Sequence, residues 1–275
     1  MKKKLVFFLY VPDNKGAKAT VSELKILSLH FELLRRFHDV FDEAVFVLSL
    51  KKEFLGDKEL IITWEKAIMG LGYLNVRFKV EENTDFRESK ALYEEVVNSN
   101  DNKGKLVFFG HSKGMSNEYN ESLIKLICSM YFFALSKPEE ITYFLNAREH
   151  VYYGFPFLTA QWNEIKPLEV IPKYRYYYYG TFFWTNYSLL KEVMNNKKRE
   201  WPVLVSRFYS ENFPANTIEF ELACSYRNTY ALSGQNLHLV FDEFFDGWIK
   251  YLPDGEEIKK KFNEFVKNVK IAAKI

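Results

Sequence analysis

The sequence predicts an α/β fold: a mostly parallel sheet flanked by helices. Three observations predict it. Short continuous apolar runs recur, Leu5 to Tyr10, Ala44 to Leu50 and Leu106 to Phe109, as strands buried on both faces require. Segments of helical spacing lie between them, and strands alternating with helices build parallel sheets. No repeat, low-complexity linker or composition break divides the 275 residues. One domain, 1–255, with a C-terminal helical extension, 256–275, is the simplest organisation.

Taken in order, the first run ends in the turn-like Pro12-Asp13-Asn14-Lys15-Gly16, where Pro and Gly punctuate the chain. A helix follows, with Ser22 as N-cap and Leu24, Leu27, Phe31, Leu34 and Phe37 on its apolar face. Ala44 to Leu50 is the second strand. Tyr73 to Val80 is the third, alternating through Leu74, Val76, Phe78 and Val80. Arg87 to Val97 reads as a helix and Leu106 to Phe109 as the next strand. In such sheets ligands bind beyond the carboxyl ends of the strands, so loops 11–20, 81–88 and 110–118 fall at the functional edge. Ser122 to Ser136 is a helix apolar nearly all round, hence buried. Aromatic strands and loops occupy 151–184, and helices are expected near Ser188–Asn195 and around Glu219–Tyr226. Leu237-His238-Leu239-Val240 reads as a strand interior. From Glu256 on, Ile258, Phe262, Phe265 and Val269 line one face of an amphipathic helix with lysines elsewhere.

Composition narrows the function classes. With 48% hydrophobic and 27% charged residues the chain is globular, and 38 basic against 36 acidic residues give a net charge of only +2. A dedicated nucleic-acid binder carries a marked basic excess, so no nucleic-acid partner is expected. Cys128 and Cys224 read as reduced and buried, in a cytoplasmic setting. The basic Met1-Lys2-Lys3-Lys4 precedes an apolar run that Pro12 breaks, too short for a signal peptide or a membrane span. The aromatic share, 18%, is high: 26 Phe, 18 Tyr and 5 Trp. A Phe-rich core absorbs most of it, whereas Tyr and Trp suit a cleft for a polar ring-shaped ligand.

One stretch carries candidate chemistry, Lys105-Leu-Val-Phe-Phe-Gly-His-Ser-Lys-Gly114. Gly110-His111-Ser112-Lys113-Gly114 matches G-x-S-x-G, and a strand precedes it, as a nucleophile elbow requires. A Ser112 hydrolase then needs an acid and a later histidine. No aspartate lies between Asn102 and Phe241, and only His150 and His238 follow the motif. The other reading takes the cations as the point: His111 and Lys113, with flanking glycines that let backbone approach closely, form an anion site at a strand's carboxyl end.

Further along stands Tyr176-Tyr-Tyr-Tyr-Gly-Thr-Phe-Phe-Trp184. This run, after an H-x-K-G loop, resembles the aromatic G-x-F-W strand of bacterial glycosyltransferases of the GT-A type, the polysaccharide-assembly enzymes related to the rhamnan-synthesis family. The order matches: His111-Ser112-Lys113-Gly114, a buried helix from Leu123 to Phe133, Gly180 to Trp184, then the acid–aromatic pair Glu219-Phe220. The resemblance covers about residues 100 to 225. It implies a GT-A-like sheet and transfer of a sugar from a nucleotide-sugar donor to a glycan or other hydroxyl acceptor. The D-x-D that usually holds a divalent metal on the donor occurs nowhere in the sequence. His111, Ser112 and Lys113 stand in its place, and a side-chain cation can neutralise the leaving diphosphate instead. No cofactor and no metal are expected.

The remaining assignments follow from that reading. Asn14 in loop 11–16, and Asn83, Asp85 and Arg87 in loop 82–87, would hold the nucleotide. Tyr179, Gly180, Thr181 and Trp184 would line the sugar or acceptor site, since four consecutive tyrosines cannot all be core. Glu219 is the candidate base for the acceptor hydroxyl. Glu221 shares its face on a strand but not on a helix. Trp162 and Trp201 read as packing residues. The 256–275 helix either packs on the domain or gives a weak peripheral contact with anionic membrane. A Ser112 hydrolase and a non-catalytic carbohydrate-binding protein are the alternatives.

Overall fold

The computed structural model describes residues 1–11, 21–84, 88–112, 118–147, 150–155, 157–159, 176–178, 181–196, 213–214, 223–225, 231–232, 237–250 and 252–275. Its centre is four parallel strands, β1 (Lys2–Tyr10), β2 (Glu43–Leu50), β3 (Val76–Glu82) and β4 (Lys105–His111). They stand in the order β3-β2-β1-β4, and the sheet continues with β8 (Phe183–Asn186), β5 (Tyr152–Gly154) and β9 (Ala223–Ser225). Among these seven strands only β8 runs antiparallel to its neighbours β4 and β5, while β9 returns to the common direction. A second, smaller sheet pairs β6 (Phe157–Thr159) with β7 (Tyr176–Tyr178) and β10 (Ala231–Leu232). This is the expected mostly parallel α/β sheet.

Period-2 alternation sorts the central strands onto two buried faces. Phe7, Phe46, Phe108 and Trp184 point to one face. There they meet α1 (Val21–Arg36), α4 (Glu121–Leu135), α7 (Leu237–Ile249) and α8 (Gly255–Ala273). Val6, Phe8, Val45, Val107 and Phe109 point to the other. That face is covered by α3 (Glu88–Leu92), the π-helical turn Tyr93–Val97 and α6 (Tyr187–Asn196). The phenylalanines do go to the core: Phe133 alone packs against Phe155, Phe245, Trp248 and Phe262.

Several expectations are corrected. Two helices went unread, α2 (Lys58–Met69) and α5 (Pro138–Asn146). In α2 only Ile68 is fully buried, but Leu60, Ile61 and Trp64 recur with it at helical spacing and pack on the core. The third strand begins at Val76, after an exposed Leu74. Ala223–Ser225 is a strand pairing with β5 rather than part of a helix, because a sheet edge overrides the weak helical preference of so short a segment. Leu237-His238-Leu239-Val240 opens α7 instead of forming a strand.

The predicted helix Arg87–Val97 begins at Glu88 among the described residues and changes to a π turn at Tyr93, where Asn98 N–H donates to Tyr93 O at 2.9 Å. Side chains satisfy the carbonyls that this wider turn leaves over. Asn102 Nδ2 donates to Glu95 O and Val96 O at 2.9 Å each, and Tyr187 OH donates to Val97 O at 2.8 Å.

The C-terminal helix is part of the fold. Its Ile258, Phe262, Val266 and Val269 are buried, and Phe265 packs against Phe37 and Phe132. Ser28 Oγ donates to Ala273 O at 2.8 Å, Arg36 donates to Asn268 O at 3.1 Å, and Lys270 pairs with Glu121 at 2.7 Å.

Candidate functional site at the carboxyl edge of the sheet

The direction of strand addition reverses at β1: β2 and β3 are added on one side and β4 on the other. The crevice at such a reversal, outside the carboxyl ends, is where open α/β sheets bind ligands. Here it lies between Tyr10–Val11, leaving β1, and His111–Ser112, leaving β4.

Ser112 closes the ladder between the two strands. Its N–H donates to Phe8 O at 3.0 Å, which is the last regular rung. The next rung would bring the Tyr10 N–H to a backbone carbonyl. Instead that N–H donates to Ser112 Oγ at 2.9 Å, so the hydroxyl stands in for main chain and lets the chain leave the sheet. Ser112 is 3% exposed. An elbow nucleophile stands exposed above its sheet, so this geometry argues against the Ser112 hydrolase.

Under the edge lies a layer of rings. A Cβ at Gly110 would sit 3.3 Å from both Phe7 and Phe182, so glycine lets those rings close over β4. Phe182 meets Tyr131, Phe108 and Phe7 edge-on, and the His111 ring lies 6.2 Å from it. The antiparallel pairing of Phe109 with Phe183 brings the residue before β8, Phe182, against the His111 ring at the end of β4. Thr181 is fully buried with φ 60°. A β-branched residue in the left-handed region costs on the order of 1–3 kcal/mol, strain that packing must hold.

The fold thus brings His111, of the His-Ser-Lys-Gly loop, against Phe182, of the distant aromatic motif, with Ser112 closing the ladder to β1 beside them. Trp184 is placed otherwise. It is 1% exposed, stacks on Phe41 at 5.3 Å, and donates its indole N–H to Ala134 O at 2.7 Å. Its alternation with Phe183 turns it into the core, so it lines no sugar cleft. Asn83 stands at the end of β3, half-buried, its N–H on Leu50 O at 2.6 Å. Three strand spacings, about 14 Å, separate β3 from β4. Asn14, Asp85, Arg87, Lys113, Tyr179, Gly180 and Glu219, with Glu221, Trp162 and Trp201, lie outside the described residues.

Three residues at the crevice rim were not assigned to the site from sequence. Ser22 Oγ, read only as an N-cap, accepts the Tyr119 N–H at 2.7 Å, and Lys25 Nζ lies 4.6 Å above the Tyr119 ring. No local pattern announces a contact between residues 97 apart in sequence. Among the described residues no group of three His, Cys, Asp or Glu has a metal-binding arrangement, and no helix is long and apolar enough to cross a membrane.

No family model and no curated protein matches this chain. Among solved structures, 4-diphosphocytidyl-2C-methyl-D-erythritol synthase from Anaerococcus prevotii is similar over 88% of this chain and 96% of its own, at 12% identity and a TM-score of 0.40. The fold is read from the strand order and register, not from that distant likeness.

Proposed function

We propose that this chain is a nucleotide-sugar-dependent glycosyltransferase acting on a glycan or other hydroxyl acceptor in surface-polysaccharide or glycoconjugate assembly. The observation that supports it best is the contact of His111 with Phe182, a residue of the aromatic motif, at the carboxyl edge. A single antiparallel strand, β8, delivers the start of the aromatic motif to the end of the His-Ser-Lys-Gly strand. In this reading His111 and Lys113 neutralise the charge that develops on the departing diphosphate. Asn14, Asn83, Asp85 and Arg87 hold the nucleotide, Tyr179 and Gly180 face the sugar, Thr181 being buried like Trp184, and Glu219 takes the acceptor proton. The donor is a substrate; no cofactor is assigned and the step is proposed to need no divalent metal. A contact of 256–275 with anionic membrane would have to use the outward lysines Lys260, Lys267 and Lys274, because the apolar face of the helix is covered.

Thermal shift against a panel of nucleoside diphosphates and nucleotide sugars tests the reading, since a ligand of the native state raises apparent stability by mass action. A nucleotide-sugar-specific shift is expected, with donor hydrolysis or transfer lost in Glu219→Gln and kept in Glu221→Gln. Binding of free glycans without any nucleotide response would instead establish a non-catalytic carbohydrate-binding protein.

A further inference from the structure

Behind His111 the core holds a polar pair that the proposed function leaves unused. His30 of α1 and Tyr131 of α4 are both fully buried, and His30 Nδ1 and the Tyr131 hydroxyl share a hydrogen bond at 2.9 Å. The Tyr131 ring meets Phe182 edge-on, 5.1 Å between centroids, and Phe182 in turn lies 6.2 Å from the His111 ring. Phe7 of β1 braces the row, 6.1 to 6.4 Å from His30, Tyr131 and Phe182. The same two phenylalanines press on the backbone just before His111. A Cβ at Gly110 would stand 3.3 Å from Phe7 and from Phe182. Phe182 also follows Thr181, whose left-handed φ of 60° has to be held by its surroundings.

From this arrangement we infer that Tyr131, anchored by His30, is a positioning residue that sets the orientation of the His111 imidazole through Phe182. Taken with the proposed function, on which it rests, this role names what holds the diphosphate-facing His111 in place. Apolar contact between rings is non-directional, so a layer of phenylalanines alone slides at small cost. A hydrogen bond is directional and fixes both the height and the tilt of the Tyr131 ring. Close packing passes that constraint on, because the fully buried Phe182 is in contact with Phe7, Phe108 and Tyr131 at once. It reaches His111 by two routes, ring to ring from Phe182 and along the main chain at Gly110. Two polar heads in an apolar layer are harder to bury than two leucines. What they supply is the preorganisation that a charge-stabilising group needs.

The test is the titration of the His111 imidazole, followed by NMR in the full-length protein carrying isotope-labelled histidine, with His111→Gln to assign the signal. Burial, with Tyr73 and Cys128 adding, holds the Tyr131 hydroxyl well above its ordinary 10.0, so it keeps its proton throughout. Tyr131→Phe retains the ring and removes the hydroxyl. It is expected to move the His111 midpoint by about half a pH unit, as a small change of environment does for a histidine. His30→Leu removes the same bond from the other side; it should move His111 alike and carries the test if Tyr131→Phe does not fold. Tyr187→Phe removes an equally buried hydroxyl on the opposite face of the sheet, bonded to Val97 O at 2.8 Å. It should lower the melting temperature comparably and leave His111 unmoved. In a Phe182→Leu background, Tyr131→Phe should have no further effect on His111. An unmoved His111 in Tyr131→Phe overturns the inference. So does an equal shift with and without the Phe182 ring. Calorimetric titration with UDP, GDP, CDP and ADP separates this role from the proposed function. Tyr131→Phe is expected to weaken nucleotide binding about fivefold, one net hydrogen bond's worth. The His111 shift in a protein that binds none of the four nucleotides would support the positioning role while refuting the transferase reading.

Discussion

The two edges of one sheet are built by opposite means. At the amino edge, charges answer charges. Lys4 is buried with its ammonium on Asn102 Oδ1 at 2.7 Å; Arg77 and Lys79 both pair with the buried Glu95; Lys105 pairs with Glu43 at 2.5 Å. At the carboxyl edge the Ser112 hydroxyl ties β4 to β1 and the Ser22 hydroxyl ties α1 to the approach to α4, over a layer of aromatic rings, while the ion pairs there, Glu81–Lys90 and Lys51–Glu53, are long, 3.9 and 3.7 Å. The contrast teaches that the amino edge pairs its cations with its own carboxylates, as the region of the proposed site between β1 and β4 does not among the described residues. An edge whose cations are consumed by its own carboxylates has little to offer an anion. One held by neutral hydroxyls keeps its geometry without neutralising the cations of the His-Ser-Lys-Gly loop.

The largest effect expected from breaking this contrast is at Asn102. It is fully buried, accepts from Lys4 and donates to two carbonyls of the π turn. Asn102→Ala strands a buried ammonium and two carbonyls, so a loss of about 3 kcal/mol is expected in denaturant unfolding. Nucleotide affinity of the surviving folded protein should be little changed. A comparable loss of affinity would mean that the edges are not separate.

The complementary change is Lys113→Ala. It should weaken nucleoside-diphosphate binding by about 1.5–3 kcal/mol, the range for a hydrogen bond to a charged group, while leaving the unfolding midpoint nearly unaltered. Calorimetric titration checks the first and a melting curve the second.

A third, smaller effect is one of pH. Burial, with Arg77 adding, pulls the Lys4 ammonium from its ordinary 10.5 down to about 8. Between pH 8 and 10.5 the unfolded chain therefore holds a proton that the folded chain has released, and stability rises with pH across that window. Below pH 8 both states are protonated and this contribution is flat. Cys128, Tyr73 and Tyr131, whose buried groups are pushed upward, act in the opposite sense at higher pH. The measure is thus the difference between wild type and Lys4→Met from pH 7.5 to 9, where only the wild type should gain stability from Lys4. Parallel curves would show that Lys4 does not titrate there.

The smallest expected effect is that of chelation. Nucleotide-sugar binding and turnover should survive EDTA if, as proposed, His111 and Lys113 take the place of a D-x-D. Loss of activity restored by magnesium or manganese would show that carboxylates outside the described residues hold a metal.

Legibility from sequence followed the range of the physics involved. The strands β1, β2 and β4 and the helices α1, α4 and α8 were readable because burial on two faces, or on one stripe, imprints a period on neighbouring residues. β9 was not, because its pairing with Tyr152–Gly154 lies outside any local window, whereas α2 does carry the period, in Leu60, Ile61, Trp64 and Ile68. At the candidate site, His111 and Thr181 were each marked by a local motif. Trp184 was misread because a motif names a residue type and not the face to which its strand turns it.

Sequence by itself determined the α/β class, the parallel core and the chemical character of the His-Ser-Lys-Gly loop, all properties carried by contiguous residues. Tertiary structure alone decided that β8 enters antiparallel beside β4, bringing Phe182 to His111, and that Trp184 turns inward to Ala134. It also decided that Ser22 and Ser112 answer Tyr119 and Tyr10 across about a hundred residues. Those outcomes depend on strand order and register, which long-range packing selects and no short window of sequence encodes.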